Sequence, residues 1–415
     1  MILIRKKHCT MSPSAWRELN RAESSFWLLS EVSSMNFAVF AKCKGEVSDA
    51  ALSAVCDQMM DSYPMAQASV DVSSGKPVFV RAEGKVAVKR TSGDWTQDFA
   101  RELILPFSFP GAFWRVTVHD LERAVFQIAI TFHHSVADGR SGFSFMLDFL
   151  RRLDQYPAQL ETERREFPSD RFAPFLRNAK SPRLTTDSMP WFAKRSQPSS
   201  PQMDCFTLEK EETSRLVSRA RENKCTVHGW IGAAQILSLS SLFGDDRSHT
   251  LALSTPADVR SRLYGGAPDA GLELCISLVT TAIAATEMGT VARELSQHIR
   301  SELASDAFLQ FYEALPDPVT LLSNPKGLTL FATMMQRGVQ ASVLSNVGIV
   351  SPPVFQKIAV ESMSFTVHPM ITQPVFVTVT TFEGRMHFVL NHDSNRWESR
   401  TFDSFLESFR NSLAG

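Results

Sequence analysis

Residues 133 to 139 read HHSVADG, and three of these side chains, His133, His134 and Asp138, can carry proton chemistry. An imidazole titrates near neutrality, so it can take a proton from an alcohol or an amine while remaining mostly uncharged at pH 7. It works as a base only if its ring is held in one tautomer with one nitrogen toward the substrate. A tight turn with backbone carbonyls can impose that. Asp138 lies four residues after His134 and need not touch the ring; beside Gly139 it can pair with an arginine elsewhere and fix the shape of the corner. The plainer alternative is that the histidines finish a strand and Asp138 caps the following helix.

The flanking elements fit a base held at a corner. Ala124 to Phe132 (AVFQIAITF) is a largely apolar run of strand length, so the histidines stand where a buried strand ends. After Gly139 and Gly142, the residues Phe143, Met146, Leu147, Leu150 and Leu153 recur at helical spacing. The heptapeptide is therefore read as a strand-to-helix corner. Gly139, Arg140, Ser141 and Gly142 superficially suggest a serine nucleophile, but the second flank of GxSxG is missing.

HHSVADG resembles the HHxxxDG signature of the acyltransferase superfamily built on the chloramphenicol acetyltransferase fold. That superfamily includes nonribosomal condensation domains, plant BAHD acyltransferases, wax ester synthases and stand-alone polyketide-associated acyltransferases. The resemblance spans most of the chain. Gly45 to Ser69, with Tyr63 and Pro64, is similar to the family's opening helix and strand, and Phe113 to Val118 to the strand before the motif strand. Thr226 to Leu242 is similar to a family helix, Thr255 to Arg262 (TPADVRSR) to a strand end, and Ser345 to Gly348 (SNVG) to a short element near the active-site channel. The BAHD string Asp-Phe-Gly-Trp-Gly is absent, and the corresponding region reads SNVGIVSPP. The chain looks most like the stand-alone group typified by the phthiocerol dimycocerosyl transferases.

The resemblance implies an α/β protein of two chloramphenicol acetyltransferase-like lobes with mixed sheets and a channel between them. Residues 1–155 would form the motif-bearing lobe, 156–203 a crossover rich in Pro, Ser, Arg and Lys, and 204–415 the second lobe. It further implies that His134 is the general base, with His133, Asp138 and Gly139 structural and Arg260 the partner of Asp138. Ser345, Asn346 and the backbone around Gly348 become candidates for stabilising an oxyanion. The implied reaction moves an acyl group from a thioester to a hydroxyl of a lipid, polyketide or other specialised metabolite. Amide formation and a non-catalytic carrier-protein docking module are the alternatives. No cofactor is expected beyond the acyl thioester co-substrate. Coenzyme A and a carrier-protein phosphopantetheine arm remain equally open as donors, because no glycine-rich phosphate loop or dense basic cluster marks either.

Bulk properties agree with a soluble, cytoplasmic enzyme. The chain has 415 residues, enough for a sizeable core, with 43 basic against 44 acidic side chains. That balance gives no reason to expect nucleic acid or an anionic membrane as the main partner. The start MILIRKKHCTM places charges after a very short apolar run, the reverse of a signal peptide, and no apolar stretch approaches a membrane span of about 18 residues. Cys9, Cys43, Cys56, Cys205, Cys225 and Cys275 are scattered without a CxxC pair and read as reduced thiols. His368, His387 and His392 lack accompanying ligands for a metal. Trp191 and Phe192 are expected to dock on a lobe, and Ala341 to Leu344 reads as a strand that stops before SNVG. Asp306 to Lys326 mixes aromatics with three prolines and reads equally as a mobile cover or as fixed packing.

Overall fold

A computed structural model describes residues 16–122, 124–158, 184–193, 199–264, 271–305, 310–398 and 400–414. Two large sheets organise them. The first runs, strand by strand, Ala359–Val367, Asn36–Lys44, Val125–His133, Trp114–Asp120 and Val88–Ser92. The second runs Ile276–Ala284, Thr250–Asp258, Ala341–Val350, Val375–Phe382, Arg385–Asp393 and Pro201–Leu208. Both are mixed, as expected. Ala341–Val350 lies parallel to both its neighbours, Val88–Ser92 lies parallel to Trp114–Asp120, and the remaining pairs in these two sheets are antiparallel. A small three-stranded sheet of Arg17–Glu18, Val78–Arg81 and Ala68–Asp71 stands beside them.

The motif strand is apolar along its length because it is buried on both faces, from Phe126 to His133. The helix that follows, Gly139–Gln155, starts at Asp138, whose side chain accepts from the Ser141 N–H, with the Ser141 hydroxyl answering at the Asp138 N–H. This capping box satisfies two donors that the first helical turn leaves open. Gly142 lets the helix lie directly on the strand Asn36–Lys44: a Cβ there would stand 2.8 Å from Phe37 and 3.1 Å from Val39.

The sheets do not follow the two halves of the chain. The strand Ala359–Val367 comes from the second half yet pairs antiparallel with Asn36–Lys44 in the motif-bearing sheet, with Phe365 opposite Val39. The core around the motif is shared accordingly, with Leu274, Tyr312, Met363 and Phe376 packed in one apolar cluster with Phe37, Phe132 and Phe145. A second cluster fills the other sheet, and there Trp191 and Phe192 are buried, Trp191 stacking on Trp397 at 4.7 Å between centroids.

Two readings of single elements change. Ala341 to Leu344 was expected to be a strand that stops before SNVG; the strand instead continues to Val350 across an irregularity between Asn346 and Ile349. Gly348 makes this possible with φ +80°, a left-handed conformation that other residues reach at a cost. Of Asp306 to Lys326, residues 306–309 lie outside the described residues. The rest carries the short helices Gln310–Ala314 and Pro318–Leu322, with Tyr312 buried and its hydroxyl donating to the Ile276 carbonyl, so this part is fixed packing. Among the described residues no helix is long and apolar enough to cross a membrane.

Candidate active site

The motif strand delivers its two histidines to the same corner in opposite tautomers. His134 Nδ1 lies 2.9 Å from the Ala137 carbonyl oxygen. A carbonyl only accepts, so this nitrogen carries the proton, and Nε2 is left with its lone pair. The ring is held between Phe26 and Phe37, with centroids at 4.7 and 4.6 Å. Burial pushes its pKa down to about 4, against the opposing pull of the Asp138 carboxylate and the Ala137 carbonyl. His133 is the reverse. Its Nδ1 accepts from the Ser135 N–H at 3.1 Å, with the Ser135 hydroxyl 2.7 Å away, and it packs on Phe113. Burial and then the neighbouring His134 lower its pKa to about 3.

Asp138 bonds neither ring. It is fully buried, caps the motif helix, and also meets Arg260 Nη2 at 3.0 Å and the Cys275 N–H at 2.7 Å. The plain capping reading and the ion-pair reading therefore both describe it. Burial alone would raise its pKa, but Arg260 and the N–H groups of Ser141 and Cys275 outweigh that and hold it below the ordinary carboxylate value. Arg260 is itself gripped by Asp258 at 3.1 Å, and Asp258 reaches Arg140 on the motif helix at 2.5 Å.

Two residues of this clasp carry no signal in the sequence. The Glu273 carbonyl accepts from the Asp138 N–H and from the Ser141 hydroxyl, and Cys275 supplies the N–H just mentioned. These contacts come from the backbone, where side-chain type gives no hint; the Glu273 carboxylate adds to them at 3.6 Å from Arg260 Nε. With its hydroxyl donated there, Ser141 is a structural residue.

The corner opens on a cavity of about 570 Å³. His134 and Gly139 line one side. Ser345, Asn346, Val347 and Ile349 line another, joined by Phe365 from the exchanged strand and by Asp258. A Cβ on Gly139 would reach only ordinary contact, 3.7 Å from Val347, so the missing side chain chiefly keeps space open. His133, Asp138 and Arg260 stand behind the wall. Gly348 is not in the lining, and its N–H is given to Asn346 Oδ1 at 2.8 Å, so of the SNVG element Ser345, Asn346 and Val347 border the space, and only the first two carry polar side chains. Among the described residues no group of His, Cys, Asp and Glu side chains is placed to hold a metal, and Cys43, Cys56, Cys205, Cys225 and Cys275 are free thiols.

This architecture has known relatives. Residues 197–390 match the family described as phthiocerol/phthiodiolone dimycocerosyl transferase C-terminus. The fold is that of polyketide synthase associated protein 5 from Mycobacterium tuberculosis, at TM-score 0.66 and 16% identity, over 97% of this chain and 98% of that one. It is equally that of the trichothecene 15-O-acetyltransferase from Fusarium sporotrichioides, at TM-score 0.66 and 11% identity over 98% of each chain. The first condensation domain of the CDA synthetase matches at TM-score 0.67 and 13% identity, over 97% of this chain and 96% of that one. No curated protein sequence matches the chain.

Proposed function

We propose, from the premise that this chain belongs to the superfamily of polyketide-associated acyltransferases and condensation domains, that it transfers an acyl group from a thioester to a hydroxyl, with His134 as general base. One observation carries the reading. The Ala137 carbonyl fixes the proton on His134 Nδ1, and the ring lines a cavity walled by both halves of the chain. Nε2 is then the nitrogen that takes the proton.

In the proposed step, acceptor and thioester meet in the cavity and Nε2 takes the hydroxyl proton as the oxygen attacks the thioester carbonyl. The new C–O bond forms, the C–S bond breaks, and the imidazolium returns its proton to the departing thiolate. No covalent enzyme intermediate is needed. A burial-depressed pKa suits the step in one respect: the ring is neutral before the substrates arrive. The oxyanion requires donors worth on the order of 3 kcal/mol, and the Ser345 hydroxyl and the Asn346 side-chain amide are the candidates on the opposite wall. The matched family and the polyketide-associated neighbour favour an apolar acceptor or acyl chain, carried by coenzyme A or a carrier protein.

The test is intact-mass detection of product with acyl-CoA and acyl-carrier-protein donors. Because the fold is shared by a condensation domain and an O-acetyltransferase, the acceptor panel includes amines beside alcohols. His134→Ala is expected to lower turnover by roughly 10²- to 10⁴-fold without unfolding. Undiminished product from that variant removes His134 as the base, and folded wild-type protein inactive with every pairing favours a docking role instead.

A further inference from the structure

The near-balanced net charge conceals an uneven distribution. Between Asp317 and Glu361 the chain has no acidic residue over positions 318–360, and its charges there are Lys326, Arg337 and Lys357. Six of the ten exposed large apolar side chains among the described residues fall in this stretch: Val319, Leu330, Met334, Val339, Ile349 and Val354. An apolar patch edged by cations, with a single exposed carboxylate at one end where Asp317 caps the helix that carries Val319, is unlike an ordinary solvated face.

The helix Gly327–Gln336 (GLTLFATMMQ) is the centre of the effect. It contains no charged residue and is apolar on two sides. Phe331 is buried in the protein, while Leu330 and Met334, one turn apart, are 56% and 43% exposed. A helix apolar all round is normally covered all round; this one is covered on one side. Gly327 holds it tightly to the preceding helix, since a Cβ there would overlap the Leu321 carbonyl, and this keeps Val319 in the same neighbourhood. Lys326 and Arg337 bracket the helix, are exposed, and form no ion pair with a described residue.

A second cavity, of about 330 Å³, lies behind this helix, lined largely by apolar side chains including Phe311, Leu315, Met335, Val339 and Met370, with Glu302 as the acidic residue at its border. Val339 belongs both to the exposed set and to the lining, so the cavity meets the surface at this face. It also runs along the strands that wall the reaction cavity. Ser254, Leu278 and Ala341 border the second cavity; Pro256, Ile276 and Ser345 border the first.

We infer that the face built from Val319, Leu330, Met334 and Val339, bracketed by Lys326 and Arg337, docks on an anionic lipid surface, with the second cavity facing the lipid to receive an apolar chain. The charge complement selects this occupant: cations near an anionic bilayer strengthen binding about fivefold each, and exposed apolar side chains sink into the interface. Docking is independent of the reaction proposed above and is read without activity. Ile349 lies at the far end of the strand Ala341–Val350, roughly 25 Å from Ala341 by strand rise, and Val354 follows it, so they are not part of this face.

The experiment is sedimentation of the full chain with vesicles of phosphatidylcholine alone or mixed with phosphatidylglycerol, at low and high salt. Wild type is expected to sediment with the mixed vesicles, and less so at high salt. Leu330→Glu with Met334→Glu should abolish this. Lys326→Gln with Arg337→Gln should weaken it roughly 25-fold. Val354→Glu, an equally exposed apolar-to-acid change elsewhere, should leave it intact. All these side chains are exposed, and unchanged melting temperatures verify folding. Failure of wild type to bind the mixed vesicles, equal loss in Val354→Glu, or retention of a carrier protein but not vesicles by this face would overturn the inference.

Discussion

The two walls of the cavity beside His134 are built in contrasting ways. On the His134 side, a corner of seven residues is buried throughout apart from Gly139 at its end, and its polar groups are claimed by Ala137, Ser141, Arg260, Glu273 and Cys275. On the side of Ser345 to Val350 the strand is half-exposed, passes through an irregularity, and depends on one left-handed glycine. The proposed base would have to be held in one orientation and one tautomer, and an over-determined wall does that. The opposite wall has only to offer donors and shape, and it can differ without unfolding the corner.

This contrast is sharpest at Asp138. Replacing it with alanine takes the most deeply buried partner from Arg260, which keeps Asp258, and removes a helix cap and the acceptor of the Cys275 N–H, so a loss of about 3–5 kcal/mol in urea unfolding is expected, together with lost activity. An unchanged unfolding midpoint would mean that the corner is not held as described. On the other wall, Asn346→Ala should leave stability within about 1 kcal/mol while lowering kcat by roughly 10²- to 10³-fold. A variant that unfolds early, or that keeps full kcat, would remove the distinction between the walls.

The smallest effect expected is that of pH on rate. Burial holds His134 neutral down to about 4, so kcat/KM should be flat from about pH 8 to about pH 6, and an inflection near the ordinary imidazole value would contradict the buried geometry. Stability behaves differently. The folded values of His133 and His134 lie below the ordinary 6.5, so their neutral forms favour the folded state. That contribution is fully present above about pH 6.5 and is lost as the pH falls from there through the folded values. Thermal melting across this range measures it.

Much of the wall that carries His134 is legible in the sequence. The apolar run, the HHSVADG corner and the helical spacing from Phe143 to Leu153 all act within some thirty residues, where hydrogen bonds and periodicity are local. Arg260 was found only through resemblance, since nothing local ties it to Asp138 across 122 positions. The opposite wall was read less well. Ser345 and Asn346 do reach the cavity, but the strand was expected to end at Leu344, because the left-handed turn at Gly348 that continues it is a property of the backbone.

The chemistry available and the local scaffold that carries it follow from residues close together in the chain, because a side chain's donors and a helix cap depend on near neighbours. Tertiary structure alone decided that Ala359–Val367 crosses into the motif-bearing sheet and brings Phe365 to the cavity. A strand's alternation says which face is buried, not which partner it takes. The same holds for Leu330 and Met334: apolar residues are read as core until the packing shows one side of their helix uncovered. Pairing and exposure are settled by competition among distant surfaces for burial, and that competition is not written in any one segment.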